Sequence, residues 1–518
     1  MHTVSRIVGL ALVLGAAVPT ARADQAPPPA AKERAAPAAP RPAGPPKPTP
    51  KPSLVSPPAS PVPAPPPPST IAIPFEKYTL PNGLTVILSE RRDLPMVVVD
   101  VIVKVGSRFE PKGRTGFAHL FEHLMFMGTN RVPTGAFDQW MEAEGAANNA
   151  WTSEDRTNYF SFGPAHALPL LLWLEADRLT SLGDSMTQER LEAQRGVVRN
   201  ERRQTSENEP YGKAELLLPE LLYPEGHPYH HPVIGSHEDL EAATVADVKT
   251  FFASHYVPAN MALVVAGDFD VAETKASIEK WFGLLRPTTA TAGAAAAGEG
   301  AAPAPSAPPA PRLGRVVRKT VTETNIQLPK TILAWHSPAR FAPGDAELDL
   351  LSNVLVRGKT SRLHQVLVFE KELAQSVTAS QSSQDLSSVF TIEAVARPGV
   401  TLDAIEAEID KVLAGLLDKG PTAKEIERAK IDYETSFVLG LESLPSRASS
   451  LALYESFAGD PGFIGKDLAR YRAVDVAAAH AAAKSTLDLG SRVVLRIEPE
   501  KAAAPSAPAQ PAPKGGAR

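Results

Sequence analysis

The chain has 518 residues, 43% of them hydrophobic, a formal charge of −5 and no cysteine. That length allows two to four domains with a substantial core. The lack of cysteine excludes disulfides, thiolate metal ligands and a cysteine nucleophile, so a bound metal would need His, Asp or Glu. No basic run is long enough to expect a nucleic-acid partner.

The N-terminus has the pattern of an export signal. Arg6 precedes the apolar run Ile7–Val18, and Ala21-Arg22-Ala23 forms a small-residue cleavage site. The apolar run is too short to span a bilayer as a helix. A signal over 1–23 is therefore expected, with an uncleaved anchor as the alternative. The mature chain would begin at Asp24, periplasmic or secreted, with no transmembrane segment. Residues 24–70 are mostly Pro and Ala, an extended tether.

A first folded domain is expected over 71–286. Tyr78–Leu80 and Leu84–Leu88 flank Pro81-Asn82-Gly83 as a hairpin. Met96–Val105 is a continuous β-branched run, the pattern of a central strand. An apolar helix follows around Thr115–Thr129. Gly135–Glu144 reads as a helix, then Asn149–Ser153 and Asn158–Phe162 as strands. Leu168–Leu182, Gln188–Thr205 and Ala214–Leu222 read as helices. Thr244 is placed to cap Val245–Tyr256, followed by a strand at Met261–Ala266 and a helix at Val271–Leu284. Residues 287–311 are an Ala/Gly/Pro linker.

The order then recurs over 312–499. A strand is expected at Ile332–Trp335, a helix at Ala346–Val356, and strands around Gln375–Thr378 and Val389–Ala396. Helices at Leu402–Leu417 and Ala423–Leu439 precede a last strand at Val493–Ile497. Setting Gly128 against Gly358 puts Asp349, Ser352 and Asn353 opposite His119, Glu122 and His123, so the second half resembles a copy lacking the histidines. Residues 500–518 are a further Pro/Ala tail.

The chemistry-bearing stretch is TGFAHLFEHLMFMGT (Thr115–Thr129). Residues four apart share a helix face, so His119 and His123 aim two imidazoles at one point, with Glu122 on the same side. Two imidazoles with one or two carboxylates suit Zn²⁺. Three ionisable groups in an otherwise apolar helix are costly unless something binds them. The order His-x-x-Glu-His inverts the thermolysin-type helix and is itself a zinc-peptidase signature.

Three stretches resemble the pitrilysin/insulinase family of zinc peptidases: Gly106–Thr129, GAANNAWTSEDRTNYF (Gly145–Phe160) and RGVVRNERRQ (Arg195–Gln204). A looser match is GKTSRL (Gly358–Leu363). The resemblance spans Phe75–Ile497. It implies an α+β fold of two homologous halves, each a mainly antiparallel sheet with helices on one side, joined by a linker around a chamber. The activity implied is zinc-dependent hydrolysis of peptides or unfolded polypeptides, with one Zn²⁺ per chain.

The resemblance also assigns roles. A third ligand from a distant helix falls on Glu201, 78 residues beyond His123, with Glu192 as the fallback. Glu122 becomes the general base rather than a ligand. Extended substrate would lie along Asn149, Ala150, Trp151 and Thr152 by backbone pairing. The supporting acid seven residues before the third ligand is replaced here by Gln194. The family's carbonyl-binding Arg and Tyr are replaced by Val368 and Gln375, neither of which can polarise an oxyanion. A homologous non-metal subunit supplying that pair, in a heterodimer or a homodimer, is the expectation that follows. The competing readings are a non-catalytic assembly subunit and a peptide-binding module of the same fold. His227, His230 and His231, flanked by prolines with no nearby carboxylate, read as a loop before a second metal site. Glu154 and Asp155 read as turn residues, and Trp140 and Trp151 as core or pocket wall.

Overall fold

The computed structural model describes residues 71–286 and 311–500. The expected signal, the tether, all but the last residue of the linker and all but the first of the tail lie outside the described residues.

The first lobe begins with the hairpin of β1 (Glu76–Thr79) and β2 (Thr85–Glu90), turned at Gly83 with φ +96°. The left-handed value explains a glycine at that corner. Then come β3 (Met96–Val103), α1 (Phe117–Leu124), α2 (Ala136–Ala143), β4 (Ala147–Thr152) and β5 (Thr157–Pro164). The lobe is completed by α3 (Leu168–Ser185), α4 (Gln188–Arg202), α5 (Val245–His255), β6 (Met261–Gly267) and α6 (Val271–Phe282). The strand order is β1-β2-β6-β3-β5-β4, with β2 and β6 parallel and the other pairs antiparallel. β4 is an edge strand, hydrogen-bonded only to β5.

The second lobe contains β7 (Val317–Glu323), β8 (Lys330–Ser337), α7 (Asp345–Val356), β9 (Ala374–Ser382), β10 (Ser388–Ala396), α8 (Leu402–Lys419) and α9 (Ala423–Gly440). It ends with α10 (Leu444–Ala458), α11 (Ile464–Ala473), α12 (Val476–Thr486) and β11 (Val493–Pro499). Its strand order, β7-β11-β8-β10-β9, repeats that of the first sheet from β2 onward, including one parallel pair, β7 with β11. Strand β9 is thus the counterpart of edge strand β4, and α7 of α1.

One face of each sheet is covered by its own lobe. Val97, Val99 and Val101 of β3 pack with Leu120, Phe121 and Leu124 of α1 and Leu171 and Leu174 of α3. The opposite face is covered by the other lobe. Val98 and Ile102 of β3 and Val264 of β6 lie under Ala448, Leu451 and Ala452 of α10. Reciprocally, Leu222, Tyr223 and Tyr229 of the first lobe cover Ile332, Ala334, Val493 and Leu495 of the second sheet. This double coverage explains why β3 is a β-branched run without alternation. Among the described residues, no helix is long and apolar enough to cross a membrane.

The structure shortens some expected elements. Gln188–Thr205 ends as a helix at Arg202 and continues as a wide turn, and Ala214–Leu222 is two short helices, Gly212–Glu215 and Leu218–Leu222. The elements absent from the sequence reading include β7, the short helices His237–Ala242 and Arg362–His364, and the helices α10 to α12.

Candidate metal centre

Helix α1 starts at Gly116, held at φ +82° with no side-chain cap of its own. Glu110 supplies the cap from outside the helix. Its Oε2 accepts from the Gly116 N–H at 2.9 Å and its Oε1 from the Ala118 N–H at 2.7 Å. These bonds satisfy helix-start amides that would otherwise be buried unpaired. Burial, which those bonds only partly oppose, pushes the Glu110 pKa well above the usual range. A Cβ at Gly116 would fall 2.6 Å from the Ile234 carbonyl oxygen, so the helix start interlocks with the loop near residue 235. Asp239 adds a second clamp, accepting from the Thr115 N–H at 3.0 Å and hydroxyl at 2.5 Å.

This clamped helix presents His119 and His123 one turn apart, with ring centroids 4.8 Å apart and planes at 79°. Helix α4 brings Glu201 to both. Its Oε2 lies 3.1 Å from His123 Nε2 and its Oε1 3.9 Å from His119 Nε2. One ligand atom from each residue falls within 4.8 Å of the others. Among the described residues this is the one group of three or more His, Asp or Glu that could hold a metal ion.

The electrostatics suit a cation. Burial, with His123 adding to it, lowers the His119 pKa to about 4, so that ring is neutral at pH 7, the form that ligates. Burial also opposes charge on His123, but its hydrogen bond to Glu201 and the nearby Glu122 outweigh that and raise its pKa. Glu201 is held ionised by the same two histidines against its burial. His119 Nδ1 is buried with no partner. Two imidazoles and one carboxylate fit zinc with a fourth position to spare.

Gln194 hydrogen-bonds His123, so a neutral amide supports the ring where the resemblance expects an acid. The fallback Glu192 is engaged elsewhere, with Gln188 at 2.6 Å and Arg195 at 2.8 Å.

Glu122 is 8% exposed and points to the edge strand, where the Thr152 hydroxyl donates to its Oε2 at 2.5 Å. Burial raises its pKa to about 7; Thr152 and His123 pull it back and Glu201 pushes it further. The sequence reading placed Thr152 against substrate and gave no sign of this bond.

A cavity of about 480 Å³ opens over these residues. Ala150, Trp151 and Thr152 line it; Asn149 does not, and its Oδ1 instead accepts from the Ala150 N–H at 2.8 Å. The far wall comes from the second lobe, including Arg340, Asp349, Gln381 and Tyr471. The alignment of Gly128 with Gly358 was the one sequence signal that pointed to Asp349. Val368 packs on the second core and Gln375 is exposed; neither lines the cavity. His230 Nδ1 bonds the Tyr223 carbonyl at 2.8 Å and His227 Nδ1 accepts from the Tyr229 N–H at 3.0 Å, so these two serve the loop, whereas His231 Nδ1 lies 3.6 Å from Oε2 of Glu110, a carboxylate the sequence reading did not expect near it. Trp140 packs on Trp173, with centroids 6.0 Å apart.

Two sheet-and-helix lobes around an open chamber, with a His-His-Glu cluster on one wall, define a metallopeptidase-like protein. Residues 85–226 match the family model "Insulinase (Peptidase family M16)" and residues 242–433 the "Peptidase M16 inactive domain". The zinc protease PqqE of Helicobacter pylori is 32% identical over 380 residues, covering 73% of this chain and 83% of that protein. A crystal structure of a protease from Helicobacter pylori superposes with a TM-score of 0.75 at 28% identity, covering 83% of this chain and all of the other. The probable mitochondrial-processing peptidase subunit beta of Schizosaccharomyces pombe is 31% identical over 224 residues, 42% of this chain and 48% of that protein. The chain belongs to peptidase family M16, the pitrilysin/insulinase family of zinc metallopeptidases.

Proposed function

We propose that the chain is an exported zinc endopeptidase that hydrolyses peptides or unfolded polypeptides. The observation that carries this is the convergence of His119, His123 and Glu201 beside a buried Glu122 anchored to the edge strand. His119, His123 and Glu201 would hold the ion. When bound, zinc polarises a carbonyl and lowers the pKa of water, which peptide hydrolysis at neutral pH requires. Glu122, poised near neutrality, takes the proton of the attacking water and returns it to the leaving amine. Its Thr152 bond fixes the carboxylate toward the peptide. Strand β4, open on one edge, holds that peptide extended by backbone pairing through Ala150, Trp151 and Thr152. Asn149 serves differently: its side chain occupies the Ala150 N–H, which must be released before that amide can pair with substrate.

Because Val368 and Gln375 stand away from the cavity, a homologous subunit supplying carbonyl-binding groups completes the site, as a heterodimer or homodimer. That a relative is named a subunit of a processing peptidase supports this. Export rests on the Arg6–Ala23 pattern.

The test is a metal count with a peptide-cleavage assay on the mature chain, with and without a candidate partner. Glu122→Gln should retain one zinc and lose cleavage by about 10²–10⁴-fold, whereas His119→Ala and His123→Ala should lose both. Full-rate cleavage by Glu122→Gln would overturn the assignment, and full-rate cleavage by the isolated chain would remove the partner.

A further inference from the structure

The second lobe's side of the cavity holds charged groups that the reaction does not use. Asp349 sits on α7, the counterpart of α1, and takes the place of His119 when Gly128 and Gly358, at φ +77° and +78°, are aligned. Its Oδ2 accepts from the Tyr471 hydroxyl at 2.7 Å. Among the described residues it makes no ion pair. Its acidic neighbours are already matched. Asp345 and Asp467 share Arg470, at 3.0 and 2.6 Å, and Asp155 faces Arg108 at 2.8 Å. Across the cavity, Glu154 also makes no ion pair among the described residues, and its carboxylate takes a hydrogen bond from Gln384.

Among the described residues, Arg340 is the one Lys or Arg lining the cavity. It stacks on Phe457 at 3.9 Å and donates to the Ser383 carbonyl. Asp349 and Glu154 are thus two carboxyl groups without ion pairs, facing that one arginine. Burial first, then Asp345 and Asp467, raises the Asp349 pKa to about 8, with Tyr471 and Arg340 pulling it back, so this carboxyl is held protonated at pH 7 until a cation pairs with it. Two amides lining the same cavity are incompletely used among the described residues. Gln381 is only 5% exposed; its Oε1 accepts from Ser337 at 2.8 Å while its Nε2 has no partner. Gln384 Oε1 is likewise buried and unpaired. Because the Ser337 hydroxyl can donate or accept, turning the Gln381 amide frees an oxygen without loss. Buried polar atoms left without partners in a cavity wall mark a place where a ligand completes the bonding.

Position fixes which ligand. The cavity runs from Glu122 along Ala150–Asp155 and reaches the second lobe beside the β4–β5 turn. A peptide lying on β4 brings a side chain or its own terminus to that end. We infer that Asp349, with Glu154, Gln381 and Gln384, forms a subsite for a cationic nitrogen group of the peptide, either a Lys or Arg side chain or the free N-terminal ammonium. The assignment rests on the peptidase reading, since it takes the bound molecule to be a peptide lying on β4. A carboxylate and unpaired amide oxygens offer such a group both charge and acceptors.

The experiment measures binding first, so that it does not depend on turnover. Zinc-loaded Glu122→Gln full chain is titrated with a fluorescent peptide series in which a single Lys replaces norleucine at successive positions, each with a free or an acetylated N-terminus. Binding about tenfold tighter at one Lys position, or with the free amine, is expected. Dependence on the Lys position identifies the side chain; loss on acetylation identifies the terminus. Adding Asp349→Asn should bring the ratio toward one while zinc content is unchanged and the variant stays folded. Should that variant fail to fold, Glu154→Gln carries the same test. A ratio near one for every peptide, or one that persists in the folded variant, overturns the subsite. Failure of the zinc-loaded wild type to cleave any of these peptides would instead refute the peptidase reading, and the binding ratio would still be readable.

Discussion

Thr152→Val isolates the link between the edge strand and Glu122, the proposed general base. The two side chains are nearly isosteric, so β4 keeps its register with β5, where Thr152 pairs with Thr157. What is lost is the 2.5 Å hydroxyl bond to Glu122 Oε2. A hydrogen bond to an ionised group contributes about 1.5–3 kcal/mol. Glu122 is mostly buried, so solvent from the cavity replaces the donor poorly. At about 1.4 kcal/mol per tenfold in rate, kcat should fall by about 10–100-fold. Backbone pairing to the substrate is untouched, so KM should stay within about threefold. The assay is steady-state cleavage of a fluorogenic peptide by zinc-loaded enzyme, with zinc content measured on the same samples. Thr152→Ser, which restores the donor, should recover most of the rate. A Thr152→Val enzyme within about twofold of wild type in kcat, or a loss carried entirely by KM, would show that the hydroxyl does not position Glu122.

Asp100 sets a pH dependence of stability. It is 1% exposed in β3, its Oδ1 has no partner, and burial, with Glu175 adding, raises its pKa to about 7. The folded state then keeps a proton that the unfolded chain releases above about pH 4. Stability is complete below that pH and falls through pH 7, by roughly 4 kcal/mol. Asp100→Asn should reduce the slope, with Glu122 and Asp349 still contributing to it, and melt higher than wild type at pH 8; an unchanged slope in urea or thermal melts would contradict it. Glu110→Ala strips two buried amides at the start of α1 of their acceptor, costing about 2–4 kcal/mol and loosening zinc because the helix start is no longer clamped. Melting and a competitive chelator titration would read both effects, and a variant equal to wild type in each would refute the cap.

The histidine pair was legible in the sequence because four-residue spacing and helical geometry coincide within one turn. Glu201 lies on a separate helix, and only the match of a second stretch reached it. Gln194 was reached through the resemblance as the residue in the supporting position, but nothing in spacing could reveal Glu110 or Thr152 as supports, because each acts through a contact made by folding. Strand β3 was legible from its branched residues, yet its Asp100 gave no hint of which face it occupied. The helices from Leu444 to Thr486 escaped for a different reason. Helix α10 is buried by both lobes, with Ser449, Ser450 and Glu455 among its buried residues. A helix enclosed in this way lacks the one-sided stripe by which helices are recognised. Strand β7 lies at a sheet edge with mostly exposed side chains, and its polar sequence matches.

The exchange of covering helices between the halves constrains how a long substrate gets in. Swinging one lobe away from the other would strip α10 from Val98, Ile102 and Val264, and Leu222 and Tyr223 from Ile332 and Leu495. Both sheets would be wetted at once, so a hinge at the linker is closed to this chain. On the proposed peptidase reading, a peptide would have to enter the open chamber with the lobes held together. By the same token, a cut between residues 286 and 311 should not yield two soluble halves, because each carries the roof of its neighbour.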